Sequence, residues 1–144
     1  MSHKVLKIDE GKSYQWKNDH IFVKVSGADT NGKYDLLLDN FKETFHLPMH
    51  LHKEHAETFT ILDGVGEFIV GGEKITATKG TIVHVPPGTP HELKTPQTCV
   101  ATMVFEPSGF GDYLADFAKL SPEELADPKI TGAIDKKHDH IKVY

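Results

Sequence analysis

Arginine is missing from this sequence, cysteine is reduced to one residue, and no apolar run is long enough to cross a membrane. Each absence narrows the chemistry. All sixteen basic residues are lysines, so the planar guanidinium fork that grips a carboxylate or phosphate through two parallel hydrogen bonds is not available. Strongly anionic substrates such as sugar nucleotides are therefore disfavoured. The lone Cys99 permits neither an intramolecular disulfide nor a cysteine-based zinc site, and in a β-rich run it reads as a small buried hydrophobe. The N-terminal stretch MSHKVLKIDEGKSYQWKNDH lacks the apolar core of a signal peptide, which predicts a cytoplasmic protein with no membrane contact. A net charge of −5 and a pI near 6.0 argue against nucleic-acid binding through phosphates.

What remains suits one soluble globular domain: 144 residues, 38% hydrophobic and 26% charged. The dominant period is two. Residues 21–26 and 34–52 read as strands separated by a turn over 28–33, where Asp, Asn and Gly cluster. Further strands are predicted over 57–62, 66–70, 73–78, 81–85, 91–94 and 98–105, with Gly71-Gly72 as the tightest hairpin signal. Many short strands between Gly and Pro turns mean an all-β sandwich or barrel. After Pro107 the period lengthens. Phe110, Tyr113, Leu114, Phe117 and Leu120 recur at three- and four-residue steps, as on an amphipathic helix, and Ser121-Pro122-Glu123-Glu124 resembles the capped start of another. The expected organisation is a single domain over 1–144, with a barrel core at about 20–106 and a helical extension and tail over 107–144.

The chemistry concentrates between His50 and His91. On a strand, residues two apart share a face, so His50 and His52 present both imidazoles to one side. Glu57 shares its side of the next strand with Phe59 and Ile61, and a carboxylate among apolar groups needs a partner to offset its desolvation. A divalent cation held jointly with the histidines would be that partner, and His91, after the Pro86-Pro87-Gly88 turn, would supply a fourth ligand. An isolated HxH is weak evidence and is commonly a solvated or hydrogen-bonded strand pair; the signal lies in the combination. By alternation His55 faces away from His50 and His52 and reads as structural. His138 and His140 form another HxH, but no carboxylate or glycine turn follows, so the tail reads as solvated or docked. His46 and His84 fall in strands with no partner apparent from sequence.

The combination resembles a known family. His50-Leu51-His52, Glu57 and Gly64 are similar to the first motif of the cupins, and Gly80, Pro86-Pro87-Gly88 and His91 to the second. The resemblance covers roughly 34–105. Two positions depart from the pattern: Thr44 stands where the family often has glycine, and Thr95 where it often has asparagine. Neither is a ligand position, so they bear on turn geometry and leave the ligand set intact. The resemblance implies a jelly-roll β-barrel with His50, His52, Glu57 and His91 as ligands of one divalent first-row transition metal per chain, Ni, Mn or Fe foremost, Co or Zn as alternatives. Without arginine, the sugar-nucleotide epimerase branch of the fold is disfavoured.

A metal with four protein ligands leaves positions where substrate can meet O₂ or water. The expected pocket wall is Phe45, Met49, Phe59, Met103 and Phe105, with Phe110 added from the helix; for each, core packing is the competing explanation. The resemblance implies a quercetinase-like dioxygenase acting on a chelating aromatic or enol, with Glu57 as ligand and catalytic base. A non-redox isomerase or lyase using the metal as a Lewis acid, and a metal-loaded binding protein without turnover, are the alternatives. Cupins commonly pair through arms or sheets, which implies a homodimer.

Overall fold

Alternation decides this architecture, because a strand with one apolar face can bury it only against another such face. In the computed structural model, which describes residues 2–144, the elements in chain order are β1 (Lys12–Trp16), β2 (Asp19–Val25), α1 (Gly27–Thr30), β3 (Asp35–Phe41), β4 (His46–Leu51), β5 (Ala56–Gly64), β6 (Gly66–Val70), β7 (Glu73–Ala77), β8 (Ile82–Val85), β9 (His91–Lys94), β10 (Cys99–Glu106), α2 (Phe110–Ala118), α3 (Pro122–Leu125), α4 (Pro128–Lys137) and β11 (Ile141–Lys142).

Two antiparallel sheets face each other in the jelly-roll manner. One runs β1-β2-β3-β10-β5-β8, the other β11-β4-β9-β6-β7. Strand β10 shows the logic most plainly: Cys99, Ala101, Met103 and Phe105 are buried, while Val100, Thr102 and Val104 between them are half-buried. They join Phe59 and Ile61 of β5, Phe68 of β6 and Leu93 of β9 in one hydrophobic cluster. Each of the Ile, Leu, Met and Phe side chains among them contributes about 1.5–3 kcal/mol when fully buried.

Helix α2 closes the cluster from outside, sending Phe110, Tyr113 and Leu114 inward. Trp16 meets Phe110 and Tyr113 edge-on at 6.0 and 5.8 Å. Asp35, at the start of β3, orients this helix: its Oδ2 accepts from the backbone N–H groups of Gly109 and Phe110, both at 2.7 Å. A negative charge at a helix N-terminus is favourable.

Several expectations are refined. The turn over 28–33 contains a single helical turn, α1, closed by Asn31 and Gly32 in left-handed conformations (φ 56 and 81). The apolar stretch 34–52 is two strands, interrupted by a turn in which Thr44 takes φ 68. The six-stranded sheet starts at Lys12, before the period-two signal becomes readable, and helix α4 and strand β11 were not foreseen. Gly64 is obligatory at the end of β5: its φ is +80, and a Cβ there would lie 2.0 Å from the Thr98 carbonyl oxygen. No helix among the described residues is long and apolar enough to span a membrane.

Candidate metal centre

Strands β4, β5 and β9 bring four separated residues to one point. His50 ends up opposite His91 in the β4–β9 ladder, and Glu57 enters from the facing sheet. His50, His52, Glu57 and His91 are all buried, with no more than 3% of any one exposed, and one ligand atom from each lies within 4.8 Å of all the others.

The imidazoles are fixed by their outer nitrogens. Nδ1–H of His50 donates to the Pro48 carbonyl at 2.8 Å, that of His52 to the Asp139 carbonyl at 2.8 Å, and that of His91 to the Thr89 carbonyl at 2.9 Å. A carbonyl only accepts, so each contact sets the tautomer and turns Nε2 inward. Glu57 Oε1 lies 2.7 Å from His52 Nε2 and 3.0 Å from His91 Nε2. The first contact is close but misaligned, leaving His52 Nε2 a buried polar atom without a hydrogen-bond partner. Buried polar atoms are rarely left so. Three nitrogen lone pairs and a carboxylate aimed at one point, one of them orphaned, fit a divalent first-row metal ion.

The electrostatics agree. Burial opposes the charge on Glu57, but His52 and His91 outweigh it and hold the carboxyl well below its usual range. Burial likewise opposes a charge on His52, and Glu57 reverses that, raising it. His50 is pushed down to about 2 by burial and by His91 and His140, which keeps it neutral.

The five residues expected to wall a pocket fall in different places. Phe45, Phe59 and Met103 are buried in the hydrophobic cluster, with Phe45 against Phe41 and Phe59 against Phe68. Met49 is half-buried and outside that cluster. Phe105 reaches the site, its ring edge-on to His52 at 5.3 Å, and Phe110 packs behind it at 5.3 Å. Together with Tyr113 and His140 they line a small cavity beside His52.

The tail supplies what the motif spacing did not reveal. His140 is buried and lies flat on His50, ring centroids 4.3 Å apart, while His138 pairs with Asp116 at 2.6 Å. His55 stacks on Phe105 at 4.5 Å and donates from Nδ1 to Asp139. His46 pairs with Glu92, and His84 with Thr58. The only sequence trace of the tail's role is the repeated HxH, which by itself does not distinguish a site neighbour from a surface pair.

A model of the cupin domain family matches residues 41–105. The chain is 28% identical over 90 residues to the quercetin 2,3-dioxygenase of Bacillus subtilis (strain 168), an alignment covering 62% of this chain and 27% of that protein. An uncharacterized protein of Aquifex aeolicus (strain VF5) is 38% identical over 69 residues, covering 47% of this chain and 56% of that one. The matches thus span about a quarter and about half the length of these two relatives. Among solved structures, the ectoine synthase of P. lautus is similar with a TM-score of 0.68 and 22% identity, over 78% of this chain and 85% of that one. At that identity the shared property is the fold.

Proposed function

With residues 41–105 and both facing sheets in the cupin pattern, the chain is a small cupin-domain protein, and from that premise we propose that it is a metal-dependent dioxygenase acting on a chelating aromatic or enol. The observation carrying this reading is the convergence of three carbonyl-anchored histidines on Glu57 beside an aromatic wall of Phe105 and Phe110. The partial likeness to a quercetin dioxygenase supports it.

His50, His52, Glu57 and His91 would hold the metal. When bound, a first-row ion (Ni, Mn or Fe foremost, Co or Zn otherwise) supplies Lewis acidity toward a chelating oxygen pair and, if redox-active, a route to O₂. The chain's own residues do the rest. Phe105, Phe110 and Tyr113 line the cavity beside His52 with aromatic surface, which would limit competing water around a bound substrate and strengthen electrostatic interactions there. Glu57, ionised and with Oε1 within reach of two imidazoles, would be the group that takes the proton of a substrate hydroxyl.

Oxygen uptake by the metal-loaded protein with a panel of chelating aromatics and β-dicarbonyls tests the reading. Consumption of substrate with matching O₂ uptake supports it. Turnover that persists without O₂ and with redox-inert zinc contradicts it in favour of a non-redox isomerase or lyase, and recovery of every compound unchanged marks a binding protein.

The same proposal includes a homodimer of small-molecule-binding chains. Val5 and Ile8 on the N-terminal arm are 84% and 65% exposed, and Ile82 on edge strand β8 is 64% exposed. Isolated apolar residues are ordinary on surfaces; an arm and a sheet edge carrying them are suited to pairing. A sedimentation profile with only a 16.0 kDa species would refute it.

A further inference from the structure

The loop from His52 to His55 joins β4 to β5 and carries a metal-site histidine, yet a residue more than eighty positions away holds it. Asp139 accepts through three oxygens. Its backbone carbonyl takes Nδ1–H of His52 at 2.8 Å, its Oδ1 takes the Lys53 N–H at 2.9 Å, and its Oδ2 takes the Glu54 N–H and His55 Nδ1–H, both at 2.8 Å. Asp139 adopts a left-handed backbone, φ 60, that aims carbonyl and carboxylate at the same loop. The next residue, His140, lies 4° from parallel on His50 and stacks on Tyr113 with its ring at 5.6 Å. Beyond it β11 pairs with β4, Ile141 opposite Leu51 and Lys142 opposite His50.

We propose that Asp139 is a positioning residue of the metal centre and that Asp139–Lys142 forms the centre's outer wall, so that metal retention and docking of this segment are one linked event. The carbonyl of Asp139 decides which nitrogen of His52 carries hydrogen and hence that Nε2 faces Glu57. The carboxylate, by gripping Lys53, Glu54 and His55, keeps that carbonyl in place. Partners that orient a ligating histidine typically contribute about 10- to 100-fold to metal affinity. Linkage is reciprocal: if the docked segment strengthens metal binding, bound metal must strengthen docking by the same factor. This assignment rests on the metal-binding part of the proposed function and is independent of the reaction.

The test uses the full chain loaded with Co²⁺ alone. Two quantities are followed: release of Co²⁺ to excess chelator, and hydrogen exchange of the Lys53 and Glu54 amides with and without Co²⁺. Asp139→Gly removes the carboxylate while suiting a left-handed backbone, and is expected to release Co²⁺ about 10-fold faster or more. Asp139→Asn, which keeps one acceptor and tolerates the same backbone, should fall between. Asp127→Ala removes only a cap on α4, the side-chain bond to the Lys129 N–H, and should release at the wild-type rate. Co²⁺ should slow the Lys53 and Glu54 amides in wild type and not in Asp139→Gly. The proposal is overturned by unchanged release from Asp139→Gly, by equal acceleration in Asp127→Ala, or by failure of the wild type to take up Co²⁺. If these results hold while no substrate consumes O₂, the dioxygenase reading falls and the role of Asp139 stands.

Discussion

Nε2 of His52 and Oε1 of Glu57 lie 2.7 Å apart with no hydrogen bond between them, in a place where both residues are 3% exposed. His52 already commits its Nδ1–H to the Asp139 carbonyl. Without a cation, the contact is relieved only by a proton on His52, whose pKa Glu57 raises above 6.5.

Metal uptake should therefore expel that proton. Calorimetric titration near neutral pH in buffers of different ionisation enthalpy should show about one proton released per metal ion, with affinity falling as pH drops. The sign follows from the direction of the shift: a raised pKa lets the proton compete with the metal up to a higher pH than at an ordinary imidazole. Heats independent of buffer would show that His52 is already neutral in the metal-free protein.

The fold should not depend on the metal. The hydrophobic cluster spans both sheets and helix α2, unlike a zinc finger, which is unfolded without its ion. His91→Ala should keep the circular dichroism of wild type and a cooperative melt. His138→Ala, which loses the pair with half-buried Asp116 and no metal ligand, should cost about 1 kcal/mol and retain metal. Loss of metal from His138→Ala but not from His91→Ala would mean that the site is misassigned.

Thr44 is a β-branched residue at φ 68, where such residues are disfavoured by roughly 1–2 kcal/mol. Its exposed side chain leaves room for relief. Thr44→Gly should stabilise the protein by up to about 1 kcal/mol after the entropic cost of glycine, read as a higher denaturation midpoint at unchanged slope. A lower midpoint would show that the threonine side chain contributes more than its backbone costs.

At the β2–β3 ladder, Asp19 and Asp39 are 1% and 2% exposed, and three of their four carboxylate oxygens have no hydrogen-bond partner. Burial pushes Asp19 up to about 7 and Asp39 well above its usual range, the second reinforced by the charge of Asp19. The folded protein thus keeps protons that the unfolded chain loses near pH 4. The stability this pair contributes is fully present below about pH 4 and is lost as pH rises toward 7. Asp39→Asn should flatten this decline in denaturant titrations at several pH values; a slope identical to wild type would contradict it.

The ligand set was legible because it rests on local periodicity: His50 and His52 two apart, Glu57 among Phe59 and Ile61, His91 after a Pro/Gly turn. An all-β sandwich or barrel was legible for the same reason, and the jelly roll came from the resemblance of the two motifs to the cupins. The two departures from the family pattern prove to be neighbours in one turn, which spacing alone could not show. Thr44 N–H donates to the Thr95 carbonyl at 2.9 Å, Thr95 Oγ1 donates to the Lys42 carbonyl at 2.7 Å, and the same hydroxyl oxygen accepts from Phe45 N–H at 3.1 Å. Strand β1, a short edge strand carrying Lys12, Ser13 and Gln15, has too little apolar alternation to announce itself. Helix α4 has only Ile130 and Ile134 as large apolar residues, and β11 is two residues long and defined wholly by its pairing with β4. The wall around the site depends on tertiary contact. Asp139 and His140 reach it only because α4 returns the chain to the mouth of the barrel.

The most direct test of the central claim is elemental analysis of tag-free wild type and His91→Ala side by side, with metal counted per chain. About one Ni, Mn, Fe, Co or Zn ion per wild-type chain, lost in the variant, is the expected result. Equal metal content in the two proteins, or none in wild type even after reconstitution, would contradict a metal centre built from His50, His52, Glu57 and His91.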